Sequence, residues 1–308
     1  MSTYYAKRKK KKQKASDIVF NIVNYTFFGL FALICMYPFY YVIINSISDN
    51  SRVLVGAIKF LPQGIHFQNY IDSLQLPGMA RAAFNSVART VVGTLFMLTG
   101  TSILGYAMSR PEYWHRKFWY RFMICTMYFG AGLIPGYMNI KRLGLMDTFW
   151  VYVVGSFISP YNMVLMKTYV ENGIPQSLEE AAIMDGAGYA KRFLKIILPL
   201  SKPIISTVAI FEAVGQWNSY MDTILYTIGD DLQTLQSKLY LFLNRASMLA
   251  SMMKNVSDTS ILRQMAQQAN PTSVRHTVTV ITLLPVLLIY PFFQRYFTKG
   301  IMMGAVKG

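Results

Sequence analysis

The sequence predicts an all-α membrane protein with six transmembrane helices, and three observations carry that prediction. Separate apolar runs of roughly 18 residues or more recur along the chain, each long enough to cross a bilayer. Apolar residues make up 53% of the 308 positions, with a mean hydropathy of +0.31. The net charge is +16, from 30 Lys and Arg against 14 Asp and Glu, and the basic residues gather between alternate runs. Such a balance can signal nucleic acid, but anchoring charges on one side of a membrane explain it better.

Residues 1–16 form a basic tail with Lys7, Arg8, Lys9, Lys10, Lys11, Lys12 and Lys14. It reads as a cytoplasmic tail that holds the N-terminus inside. The apolar run behind it is too long for a signal peptide, and no small-residue cleavage site follows. A six-span domain over 17–293 comes next, then a cytoplasmic tail over 294–308. The first span covers about Ile18–Ile44, with Tyr37, Pro38, Phe39, Tyr40 and Tyr41 placed as an interfacial belt. Residues 45–82, with Pro62, Gly64, Pro77 and Gly78, form an external loop of short helices.

The second span, about Ala83–Met108, carries Asn85 and Arg89 on one face. Arg89 either lines a pathway or snorkels to the outer interface, because it lies about one and a half turns inside the span. Arg110, Arg116, Lys117 and Arg121 crowd the next, internal loop. The third span, about Phe118–Met138, contains Gly130, Gly132, Pro135 and Gly136 and reads as a broken or kinked helix. The fourth, about Phe149–Met166, has Pro160 and Asn162 within it, and a proline at that depth bends the helix and opens polar groups to a cavity.

The fifth span, about Pro203–Ile228, has the clearest polar pattern. Glu212, Gln216, Ser219 and Thr223 recur at i, i+4, i+7 and i+11, one helical face. Asn218 and Asp222 form a second pair four apart. Such residues either line a pathway or hold the bundle together by interhelical hydrogen bonds. Residues 229–273 form a second external loop, where Leu232, Leu235, Leu239 and Leu243 predict an amphipathic helix that either packs on the rim, the simpler reading, or meets a binding protein. The last span is about Val274–Phe293. Cys35 and Cys125 both fall in apolar runs and read as small buried residues. His66, His115 and His276 are scattered, with no metal-binding spacing and no catalytic centre implied.

The internal loop over 167–202 differs from everything around it. Ser177 and Glu180 have the spacing of a capping box, which predicts a helix from Leu178. Glu179 and Glu180 suit its positive end. Gly186 and Gly188 permit a turn, and Tyr189–Leu198 predicts a second short helix ending at Pro199. Spacing alone fits an ordinary loop hairpin and a docking element equally well.

Glu180-Ala181-Ala182, then Gly186, Ile196, Leu198 and Pro199 resemble the EAA signature of binding-protein-dependent ABC importer permeases. Gln216-Trp217-Asn218 with Asp222 resembles the corresponding segment of sugar permeases, and Lys299-Gly300 through Ala305-Val306-Lys307-Gly308 resembles their tail. The resemblance implies a type I ABC importer permease architecture, an EAA loop that docks on a cytoplasmic ATPase, and carbohydrate import, with oligosaccharides or polysaccharide fragments as cargo. It carries over Glu180, Ala181, Ala182 and Gly186 as ATPase contacts; Asp185 joins them as the exposed acid beside the bend. The substrate-pathway candidates are Asn85, Arg89, Asn162, Glu212, Gln216, Asn218 and Asp222. Aromatic-rich spans with few charges fit a neutral or weakly charged sugar.

The implied partners are a second homologous permease, two ATPase subunits, an extracellular solute-binding protein and membrane lipid. The chain has no phosphate-binding loop of its own, so ATP and Mg belong on the ATPase subunits and no cofactor or metal is expected here. Of the 30 Lys and Arg, 19 lie in segments read as internal, which agrees with both termini in the cytoplasm of a bacterial cell with the chain in its plasma membrane. The rival reading is an ion-coupled secondary transporter using Glu212 or Asp222, which would need no EAA loop and no ATPase.

Overall fold

The computed structural model describes residues 15–244 and 271–300. The basic N-terminal tail, the middle of the second external loop and the end of the C-terminal tail fall outside the described residues. Every regular element among the described residues is helical.

The chain is built around one long helix. After α1 (Ala15–Ser46), two short helices, α2 (Asn50–Leu54) and α3 (Gln68–Gln75), occupy the first loop. Asp49 starts α2 by accepting from the amides of Ser51 and Arg52 at 3.0 and 3.3 Å, the usual action of an aspartate N-cap. Helix α4 (Met79–Ser109) begins one turn earlier than the apolar pattern predicts. Its 31 residues span about 46 Å, enough to cross a bilayer with a turn to spare. The interfacial tyrosines of α1 reach the first loop: Tyr37 and Tyr40 donate to the carbonyls of Lys59 and Phe60 at 3.1 and 2.5 Å.

The expected third span is two helices, α5 (Arg116–Tyr128) and α6 (Leu133–Arg142), separated at the glycine-rich stretch 129–132. The fourth begins with 3-10 turns over Phe149–Tyr152 and Val154–Ser156, then bends by 44° into α7 (Pro160–Gly173). Pro160 sits at the first position of α7, where its missing amide costs nothing, and Ser159 caps the helix. The proline therefore starts a helix here, where the sequence placed it inside one.

Helix α8 (Gln176–Met184) leads to α9 (Tyr189–Leu200), whose middle, Phe193–Ile197, is a π-helical turn. A 79° bend joins α9 to α10 (Lys202–Asn218). Two backbone bonds cross it, although Pro199 and Pro203 donate none: the Ser201 amide donates to Ile197 at 2.8 Å and the Ile205 amide to Ser201 at 2.9 Å. The expected fifth span is shorter than its apolar pattern. It stops at Asn218, and a separate short helix, α11 (Met221–Tyr226), follows. Residues 235–244 are helical and form α12. The last helix, α13, is Pro271–Gly300.

Helix α4 packs against α7 and α10, and α13 packs against α1 and α10. One apolar cluster surrounds the start of α4, with Met79, Ala82, Trp217, Leu235 and Val278 buried and Leu239 partly buried. Of the four leucines expected on one helix face, Leu235 and Leu239 of α12 pack here, Leu232 precedes the helix and joins another cluster, and Leu243 is exposed. A second cluster surrounds the end of α4, with Tyr106, Met166, Val170, Ile174 and Ile197. The Trp217 indole donates to the Thr282 carbonyl at 3.0 Å and fixes α10 to α13.

Among the described residues α1 and α4 are each long and apolar enough to cross a membrane, and the two bent pairs raise the number to four. Only 6% of the apolar window of α1 is buried within the chain, against 44% for α4. Cys35 and Cys125 are exposed, which corrects the expectation of burial. Both lie on outward faces of their helices, and residue type alone does not separate an outward apolar position from a protein core.

Candidate functional site

Two polar assemblies stand out, one at each end of α4. The first is a cleft of about 270 Å³ between α4, the 3-10 turns of residues 149–156, α10 and α11. Arg89 is its centre and is only 2% exposed. Its guanidinium meets Asp222 as a fork, with Nη1 donating to Oδ1 at 3.1 Å and Nη2 to Oδ2 at 2.5 Å. Nε and Nη2 also donate to Gln216 Oε1 at 3.3 and 3.1 Å, and Nη1 to the Ser219 carbonyl at 3.3 Å. The guanidinium plane lies over the Tyr152 ring, 4.4 Å from its centroid. Two-point carboxylate pairing and ring stacking are contacts for which arginine is shaped and lysine is not. Of the two readings of Arg89, the snorkelling one is therefore excluded: its head turns into the bundle.

Gln216 links this pair to its surroundings. Its Nε2 donates to Glu212 Oε1 at 2.9 Å, to Ser156 Oγ at 3.0 Å and to the Tyr152 carbonyl at 3.3 Å. The close approach needs Gly93: a Cβ there would sit 2.8 Å from the Gln216 carboxamide carbon. The break after Asn218 matters equally, because it swings Asp222 out of the register of α10 and aims it at Arg89. Asn218 and Asp222 are consequently not neighbours on one helical face, which corrects that expectation. Ser219 contributes a carbonyl and not a side chain.

Four of the seven pathway candidates thus meet in one cleft: Arg89, Glu212, Gln216 and Asp222. The other three lie apart. Asn85 donates to the carbonyls of Asp231 and Gln233 at 2.7 and 2.9 Å, tying that segment across the start of α4. Asn162 is buried beside Met97, with its Oδ1 unpartnered. Asn218 is exposed and bonds its own helix and Gln236. Tyr152 and Ser156 belong to the cleft but were not singled out from sequence. A short 3-10 stretch has no helical period to mark an inward face.

The second assembly is the loop over 167–202. Helix α8 starts at Gln176 behind Pro175, without any side-chain cap. The expected Ser177–Glu180 capping box is not formed, because the helix begins before Ser177. Its end follows the expected pattern. Gly186 has φ +73°, its amide donates to Ile183 at 2.9 Å, and the Ala187 amide donates to Ala182 at 2.9 Å. This is a Schellman termination, which requires a left-handed residue at the glycine position.

Glu180, Ala181, Asp185 and Gly186 are exposed on this loop, while Ala182 is buried against the chain. The strongest contact belongs to Glu179, which the sequence marked only as an early-helix acid. It is 4% exposed. Its carboxylate accepts from Tyr106 Oη at 2.8 Å and Arg192 Nη1 at 3.1 Å, and it pairs with Arg110. Three elements converge on one side chain: the end of α4, the start of α8 and the start of α9. Adjacent acids at 179 and 180 point about 100° apart on a helix, so one turns inward and one outward. That difference, set beside the basic pair Arg110 and Arg192, was the available signal.

The chain resembles proteins that share this architecture over nearly its full length. It is 33% identical over 290 residues to the polygalacturonan/rhamnogalacturonan transport system permease protein YtcP of Bacillus subtilis (strain 168), covering 94% of this chain and 99% of that protein. The diacetylchitobiose uptake system permease protein NgcG of Streptomyces coelicolor is 24% identical over 299 residues, covering 95% and 91%. Among solved structures, a bacterial ABC transporter involved in import of the acidic polysaccharide alginate superposes with a TM-score of 0.81. The two are 29% identical, with 94% of this chain and 100% of that chain covered. With a family model matching residues 1–303, the chain belongs to the family described as binding-protein-dependent transport system inner membrane component.

Proposed function

We propose that this chain is a permease subunit of an ATP-driven importer for oligosaccharides released from polysaccharides. The observation that carries the reading is the match over residues 1–303 to a family of transport components. The named relatives, which handle polygalacturonan, rhamnogalacturonan and diacetylchitobiose, point to carbohydrate cargo. The chain resides in the plasma membrane with both termini in the cytoplasm. It pairs with a second permease, two ATPase subunits and an extracellular solute-binding protein. ATP and Mg are bound by the ATPase subunits, and this chain performs no catalysis.

Work enters through the loop at Glu180, Ala181, Ala182, Asp185 and Gly186, with Glu180, Ala181 and Asp185 exposed for contact. Each state of the ATPase pair favours one orientation of the pore, so nucleotide free energy shifts that equilibrium. The cleft around Arg89, Glu212, Gln216 and Asp222 supplies polar groups to the pathway at membrane depth. An ion-coupled mechanism has no observation in its favour, since Asp222 is engaged by Arg89 and Glu212 by Gln216.

The test is uptake of a labelled oligogalacturonide by cells that depend on this permease. Glu180→Lys abolishes uptake while the protein still reaches the membrane, and a cysteine at Asp185 cross-links to the ATPase subunit. Normal uptake by Glu180→Lys with no cross-link at Asp185 refutes the coupling assignment.

A further inference from the structure

A groove of about 810 Å³ opens beside the loop that joins α4 to α5, on the same side of the chain as Glu179 and α8. Arg116, Lys117, Arg121 and Lys167 line it, together with the rings of Tyr113 and Tyr120. One carboxylate answers these four cations. Glu171 accepts from Arg116 at 2.5 Å and from Lys167 at 2.6 Å. Lys117 and Arg121, four residues apart on α5, have no carboxylate within ion-pair distance among the described residues. The groove therefore carries an excess of three positive charges.

Lys167 sets the groove apart from scattered surface lysines. It is only 9% exposed, with its Nζ 4.6 Å above the Tyr120 ring. A cation held that deeply with half a carboxylate as its counter-charge is placed to meet an anion from outside the chain. We propose that the groove binds the head group of an anionic phospholipid, with the phosphate held among the lining cations Lys117, Arg121 and Lys167.

The surroundings favour a lipid over a soluble anion. Trp114, Phe118 and Phe122 are exposed around the groove and along α5. Tryptophan and tyrosine beside basic residues mark the head-group level of a membrane. The outward apolar face of α5 then gives the acyl chains a surface to follow. Basic pockets between membrane helices take anionic head groups by this combination of charge and depth.

The experiment uses the full chain in its purified transporter complex, with native mass spectrometry against phosphatidylglycerol and phosphatidylcholine. The complex is expected to retain phosphatidylglycerol selectively. Removing both exposed cations in Lys117→Gln/Arg121→Gln is expected to weaken that binding roughly thirty-fold, at about a fivefold loss per cation. Lys117→Arg/Arg121→Lys retains it, and so does Lys141→Gln/Arg142→Gln, which removes equal charge from the end of α6. Equal retention of the two lipids, or equal loss from the α6 pair, would overturn the proposal. So would displacement of phosphatidylglycerol by millimolar inorganic phosphate, which would make a soluble anion the ligand.

Discussion

Replacing Glu179 by Gln tests whether α8 is held to the rest of the chain by a single buried carboxylate. Gln keeps the length of the side chain and an acceptor for Tyr106, whose hydroxyl lies 2.8 Å away. It removes the charge that faces both Arg110 and Arg192. Breaking a buried ion pair from one side costs about 3–5 kcal/mol, because the remaining charge is left without compensation. The Arg192 side chain is 6% exposed and Arg110 is 14% exposed, so Arg110 regains some hydration. The low end, about 3 kcal/mol, is expected. Tyr106 links the carboxylate to the apolar cluster, but Met166, Val170, Ile174 and Ile197 are held there by apolar packing, so the cost stays near α8. Hydrogen exchange of the complex reads it directly. The amides of Asp185, Gly186 and Ala187, which close the end of α8, should exchange about a hundredfold faster, since each 1.4 kcal/mol is a factor of ten. A change below about threefold in a folded complex would refute the idea that Glu179 anchors α8. Uptake should fall in parallel while the exposed face of α8 keeps its chemistry.

The remaining predictions concern the same two assemblies. Asp222→Asn should destabilise the chain by about 3–5 kcal/mol, because it strands the buried Arg89. Adding Arg89→Gln should recover part of that loss, and a thermal-denaturation double-mutant cycle without coupling would show that the pair does not act as a unit. Gly93→Ala should cost about 1–3 kcal/mol, since its Cβ displaces Gln216. Gly29→Ala, where nothing lies within 4 Å, serves as the neutral control. Gly186→Ala should cost about 1–2 kcal/mol from its left-handed backbone alone, because no atom lies within 4 Å of the new methyl. Gly186→Asn should cost less than Gly186→Ala, as asparagine tolerates that conformation better, and equal melting temperatures for the two would contradict the account.

The parts of this fold that were legible in the sequence are local ones. Hydropathy runs marked α1 and α4 to within a turn, glycines marked the break between α5 and α6, and Gly186 marked the end of α8. The break after Asn218 was not legible, because no proline or glycine interrupts Trp217 to Tyr226 and the helical period runs on through it. The Arg89–Asp222 pair joins residues 133 apart in sequence, and Tyr106–Glu179 joins residues 73 apart. Periodicity is silent on such partners. Polar residues inside apolar runs did identify Arg89, Glu212, Gln216 and Asp222 as worth keeping, since burying them is costly without a use. It could not tell them from Asn85, whose role is to hold the carbonyls of residues 231 and 233.

The elbow between α9 and α10 has a mechanical consequence. Pro199 and Pro203 remove two amides from the ladder at this corner, yet two bonds still cross it, from the Ser201 amide to Ile197 and from the Ile205 amide to Ser201. Those two bonds tie the arms to each other, so they turn together like a bell crank. A push along the short arm becomes a sideways swing of the long one, and the far tip of that arm carries Gln216 against Arg89.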